Sequence, residues 1–106
     1  MGEYIHGLRI SSAMTLTKLA AALDLDQSTL SKIENGKRKL PENVLPKLAK
    51  IFNLEIKNLE KEYYSEKIAE IIYLKGNSKE LLSLAEEKAN YMRFKRQKQR
   101  TINFSR

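Results

Sequence analysis

The stretch TLTKLAAALDLDQSTLSKIENGKRKL, residues 15–40, constrains this chain most. It holds two apolar stripes at helical spacing with a stop between them. Thr15 stands where a helix N-cap is wanted, and Leu19, Ala20 and Leu23 follow on one helix face. Asp24 falls where the first helix must end; aspartate tolerates a left-handed backbone better than most non-glycine residues. Asp26 offers a second N-cap and opens a run with Leu30 and Ile33 on one face. Gln27, Ser28, Ser31 and Lys32 lie off that face, and Gly36 stands where a C′ glycine belongs. Two short helices joined by so tight a turn make a helix-turn-helix unit.

Around this unit the chain reads as helix. Glu3 to Ser12 predicts a first helix with Ile5, Leu8 and Ser12 on one face. Arg9 sits at the edge of that face, and a charge so close to an apolar stripe needs a partner. After Leu40, Pro41 closes a loop, and Asn43 is placed to cap a fourth helix from Val44 to about Phe52. Pro46 then falls in the first turn, where no intrahelical donor is lost. Leu45, Leu48, Ala49 and Phe52 form the buried stripe of that helix, and Leu54, Ile56 and Leu59 predict a short fifth one. Five short helices over residues 3–62 complete a small all-α domain.

Beyond residue 62 the pattern changes. Tyr64, Ile68, Ile71 and Ile72 predict a sixth helix ending near Lys75 and Gly76. Asn77 and Glu80 are spaced as a capping box and open a long helix. It carries Leu81, Leu84, Ala85, Lys88 and Met92 on one side, with Leu82 and Ala89 close by. The expected division is a helix-turn-helix domain at 1–62, a helical dimerisation extension at 63–94 and a basic tail at 95–106. The five-helix unit closes its own core, which leaves Ile68, Ile71, Ile72, Leu81, Leu84 and Met92 without a partner inside it. These six are the expected homodimer interface, since a symmetric contact lets one patch serve both chains. The tail continues the last helix briefly and then frays; a solvated end and a DNA arm are both open readings.

Charge narrows the choice of partner. The formal net charge is +7, unevenly spread. Residues 1–40 carry six Lys/Arg against four Asp/Glu, residues 41–92 eight against nine, and residues 93–106 six against none. A basic chain favours a nucleic-acid partner, though many basic proteins bind none. The sharper signal is local: Lys37, Arg38 and Lys39 follow Gly36 directly at the end of a polar helix face. Such a run is usually a solvated loop, but in that position it is also a phosphate clamp. No apolar run approaches a membrane span and no signal peptide opens the chain, so a cytoplasmic protein is expected. His6 is the only histidine and there is no cysteine. It reads as a partly exposed helix residue; no metal, cofactor or small-molecule ligand is expected, and no catalytic set is recognisable.

These residues resemble the Cro and phage-repressor type of helix-turn-helix domain, also called the xenobiotic-response-element type. The signature is LR…MTLTKLAAAL-DLDQSTLSKIENGKRKLP…LPKLAKIFNLEIKNL, over residues 3–60. The resemblance implies a five-helix domain that binds operator DNA as a dimer. It implies that Gln27, Ser28 and Lys32 face base edges, and that Thr29, Asn35, Lys37 and Arg38 lie at the DNA backbone. It further implies a buried ion pair between Arg9 and Glu34. Two departures stand out. Leu16 occupies a position where the family often has a phosphate-contacting Gln, and Asp24 one where it usually has Gly. The region after residue 62 is loosely similar to extended bacterial regulators, including controller proteins of restriction–modification systems.

The expected function is therefore a sequence-specific, double-stranded-DNA-binding transcriptional regulator, a dimeric repressor with its third helix in the major groove. Gln can bond adenine bidentately, Lys donates to guanine, and Ser pairs with several edges. One such helix reads only a few base pairs, so useful specificity requires two half-sites and hence a dimer. An autoregulatory controller or antitoxin of a restriction–modification or toxin–antitoxin locus is the narrower alternative. A protein–protein interaction module on the same fold is the alternative of a different class. An enzyme is not expected.

Overall fold

A computed structural model describes residues 1–104, with side-chain exposure through residue 99. Among the described residues there are six α-helices and no strand: α1 (Gly2–Ser11), α2 (Leu16–Ala22), α3 (Gln27–Glu34), α4 (Leu45–Ile51), α5 (Ile56–Lys75) and α6 (Ser78–Phe104). One turn of 3-10 helix, Glu42–Val44, leads into α4. The chain divides into two units, Met1–Lys67 and the residues from Ile68 onward.

The first four helices stop in the same way. A residue in the left-handed region follows each C-cap: Ala13 (φ 53°), Asp24 (φ 56°), Gly36 (φ 74°) and Asn53 (φ 52°). The next amide then reaches back to the helix: Met14 to Arg9, Leu25 to Ala20, Lys37 to Lys32 and Leu54 to Ala49, at 2.8–3.0 Å. This satisfies carbonyls that a helix end otherwise leaves orphaned. Only Gly36 takes the left-handed backbone without a steric penalty.

The N-terminal unit closes over one core. Ile5, Leu19, Leu23, Leu30, Leu48 and Leu59 are at most 1% exposed, and Ala20, Ile33, Leu40, Val44, Leu45, Ala49 and Tyr63 complete the cluster. Each such Leu or Ile contributes about 1.5–3 kcal/mol by leaving water. Gly2 lets α1 approach α3 closely: a Cβ there would run into the Ile33 and Glu34 carbonyl oxygens. Thr15 caps α2 as expected, its hydroxyl accepting from the Lys18 amide at 3.1 Å. Asp26 stands at the N-cap of α3 without a side-chain cap hydrogen bond.

Several local expectations change. The fifth and sixth helices are one: α5 runs unbroken for 20 residues, because nothing between Leu59 and Tyr64 interrupts a helix. The intervening Glu60, Lys61 and Glu62 are good helix formers. The expected boundary at 62/63 thus falls inside a helix, and Tyr63 belongs to the core. Ile56, read as core, is 38% exposed. Asn43 does not cap α4; it lies in the 3-10 turn, and Val44 is the N-cap. Asn77 is left-handed (φ 48°), as is Gly76 (φ 71°), so Asn77 lacks the extended backbone typical of a capping-box N-cap. Helix α6 extends through the start of the expected tail to Phe104, and positions 105 and 106 lie outside the described residues.

The second unit exposes much of its apolar surface. Ile68, Ile71, Leu82, Leu84 and Met92 are exposed, as are Tyr73, Leu74, Tyr91 and Phe94. Ile72 and Leu81 are half-buried. No helix of the described residues is long and apolar enough to cross a membrane.

Candidate nucleic-acid interface

The geometry of α3 follows from its sequence. Leu30 and Ile33 are buried and anchor the helix on α1 and α2. That burial turns Gln27, Ser28 and Lys32 to the outside, where all three are exposed. Thr29 and Ser31 sit half-buried at the flanks. The helix ends at Glu34, and Gly36 turns the chain into the exposed loop Lys37, Arg38 and Lys39. Asn35 is exposed, and its side-chain amide donates to the Ser31 carbonyl at 2.9 Å, which satisfies the last turn of α3.

The inner end of α3 is tied to α1 by charge. Arg9 Nε donates to Glu34 Oε2 at 2.8 Å and Arg9 Nη2 to Glu34 Oε1 at 3.0 Å. The fork is bidentate, the geometry in which guanidinium and carboxylate bind best. Arg9 Nη1 also donates to the Met14 carbonyl at 3.1 Å. The two side chains are 13% and 5% exposed. Arg9, at the edge of its apolar stripe, thus has its partner, and no buried side-chain polar atom among the described residues lacks one.

His6, an exposed residue of α1 as expected, adds a third member. Its Nδ1 lies 2.7 Å from Glu34 Oε1. An ionised carboxylate only accepts, so Nδ1 is the N–H-bearing nitrogen in this contact. Burial pushes the Glu34 carboxyl up, but hydrogen bonds from Arg9 and His6 outweigh it and hold the group below its ordinary value. The Arg9 guanidinium is raised in return, chiefly by its hydrogen bond to Glu34. The i, i+3 spacing of His6 and Arg9 was the available signal, since it puts both on one helix face. No group of three His, Cys, Asp or Glu able to hold a metal occurs among the described residues.

Both departures from the repressor pattern have a structural account. Leu16 is half-buried and packs against the core, so it serves α2 from the inside. Asp24 takes the left-handed turn position and accepts from Lys47 Nζ at 2.7 Å. That hydrogen bond lowers the Asp24 carboxyl below its ordinary value. The pair is exposed and adds little to stability.

Two short helices meeting across residues 23–26, with a polar outer face on the second and a cationic loop beyond it, define a helix-turn-helix unit of the DNA-binding kind. Residues 5–59 match the family model for this helix-turn-helix, and the chain belongs to that family, the Cro and phage-repressor type. Its members are regulators that bind double-stranded DNA. Neither the curated proteins nor the solved structures give a significant match.

Proposed function

We propose that this protein is a sequence-specific transcriptional regulator that binds a pseudo-palindromic operator as a homodimer and represses by occupying it. The observation that carries the reading is the outer face of α3. Gln27, Ser28 and Lys32 are exposed together, and the loop after Gly36 is cationic. In this reading Gln27, Ser28 and Lys32 meet base edges in the major groove. Thr29, Asn35, Lys37 and Arg38 meet the phosphate backbone, which sets register but carries no sequence information. The Arg9–Glu34 pair holds α3 at a fixed angle on α1 while it does so.

Dimerisation is supported by the apolar surface from Ile68 onward. Ile68, Ile71, Leu84 and Met92 are each about half exposed or more, at 49–66%. Monomeric proteins rarely leave so many large apolar side chains in water on one short segment. A two-fold mate would cover them and would pair two recognition helices with two half-sites. The test is selection from a pool of random duplexes, with sequencing of what the protein retains. A palindromic consensus with half-sites about one helical turn apart is expected. Retention without any sequence preference would overturn the reading.

A further inference from the structure

The N-terminal turns of α2 and α3 are joined by one side-chain hydrogen bond. The Thr17 hydroxyl donates to Gln27 Oε1 at 2.7 Å. Thr17 is the second residue of α2 and Gln27 the first of α3. Both side chains are exposed, so the bond lies on the outer surface and not in the core. We propose that Thr17 is a positioning residue for base readout: its hydroxyl orients the Gln27 amide toward adenine, so that the base pair read by Gln27 is A·T. The proposal rests on the reading of Gln27 as a base-contacting residue.

A free glutamine on a helix surface explores three torsions, and its amide can present either end to a partner. Ordering it on DNA costs rotamer freedom. Thr17 removes part of that cost in advance by holding the amide with its oxygen end against the hydroxyl. The orientation that results has a chemical meaning. A carbonyl oxygen has two lone pairs. Thr17 occupies one, which leaves the other lone pair and the whole NH2 group for a base. That is the acceptor and donor set that matches adenine N6–H and N7 in the major groove. Guanine presents two acceptors there, and the anchored oxygen would meet guanine O6 with like polarity. The Thr17 bond therefore discriminates as well as preorganises.

The experiment measures binding of the full chain to its selected site and to that site with each base pair changed in turn. Gln27→Ala locates the base pair that Gln27 reads. Thr17→Val removes the hydroxyl and keeps the shape; Thr17→Ser restores it. Wild type is expected to prefer A·T at the Gln27 position by roughly ten- to a hundredfold. Thr17→Val is expected to reduce that preference by about fivefold, the effect of one neutral hydrogen bond, with preferences elsewhere unchanged. Thr17→Ser should return it, and Thr17→Val should have no further effect in the Gln27→Ala background. Full discrimination in Thr17→Val overturns the proposal while base reading by Gln27 stands. So does a loss of affinity that is equal for all duplexes and persists in the Gln27→Ala background. A preference for another base pair at the Gln27 position also overturns it. If Gln27→Ala relaxes no position, or the protein selects no sequence, both the proposal and the reading beneath it fail.

Discussion

The Tyr63 hydroxyl donates to the backbone carbonyl of Leu40 at 3.0 Å, inside the core. Leu40 follows the cationic residues Lys37, Arg38 and Lys39, so this bond fastens the end of their loop to α5. The Tyr63 ring has two further neighbours: the Tyr64 ring meets it in a T-shaped contact at 5.3 Å between centroids, and Lys67 Nζ lies over it, 4.5 Å from its centroid. Helix α5 thereby reaches the loop beyond α3.

Tyr63→Phe should keep the packing and remove the bond. The Leu40 carbonyl then stays buried without its partner, and the expected cost is about 1 kcal/mol. Urea unfolding checks it through a lower midpoint at unchanged slope. An unchanged midpoint would mean that water replaces the hydroxyl at no cost.

Arg9→Met should destabilise by about 3 kcal/mol, because it leaves Glu34 with His6 alone in a nearly buried site. The double variant Arg9→Met, Glu34→Leu should recover most of that loss, since no orphaned charge remains. The same carboxylate makes stability depend on pH. Its folded pKa lies below the ordinary value of 4.5. The contribution is therefore complete above pH 4.5 and is lost as pH falls through the lower folded value. Melting curves from pH 7 downward should show a shallower decline in Glu34→Gln than in the wild type. Equal declines would place the acid sensitivity elsewhere.

Ala13→Gly should stabilise the protein. Ala13 is exposed and left-handed at φ 53°, a conformation that strains any residue with a Cβ. Relief of that strain exceeds the added entropy of the unfolded chain by about 0.5 kcal/mol. A higher melting temperature at unchanged DNA affinity is the expected result, and a lower one would show that the turn carries no strain.

Lys32→Ala and Lys37→Ala should separate base reading from phosphate holding. The first is expected to relax preference at one base pair. The second should weaken all duplexes alike and reduce the slope of log affinity against log salt by about one. Titrations at several salt concentrations on matched and mismatched duplexes measure both. An intact consensus in Lys32→Ala would remove that lysine from the reading set.

Wild type should sediment as a dimer at micromolar concentration without DNA, and an Ile71→Glu, Leu84→Glu variant as a monomer. Both residues are about half exposed, at 53% and 50%, so the substitutions act on association and leave the N-terminal core alone. A monomeric wild type would leave only assembly on the operator.

The sequence by itself determined what short-range chemistry controls. Thr15 caps α2, Asp24 and Gly36 take left-handed turns, and Leu19, Leu23, Leu30 and Ile33 fall at core spacing. Each of these depends on residues a few positions away, where spacing and backbone preference suffice. The family signature was legible for the same reason, because it is built of those caps and stripes. Tertiary structure decided the rest. Glu60, Lys61 and Glu62 carry no stop signal, yet the periodicity to either side suggested two helices; only the burial of Leu59 and Tyr63 on one core makes the single α5 evident. Asn43 has the chemistry of a cap, but the chain enters α4 through a 3-10 turn. His6 meets Glu34 across 28 positions, Thr17 meets Gln27 across 10, and Tyr63 meets Leu40 across 23. Such pairings depend on how the helices pack, and packing is set by the whole core at once and not by any one stretch of chain.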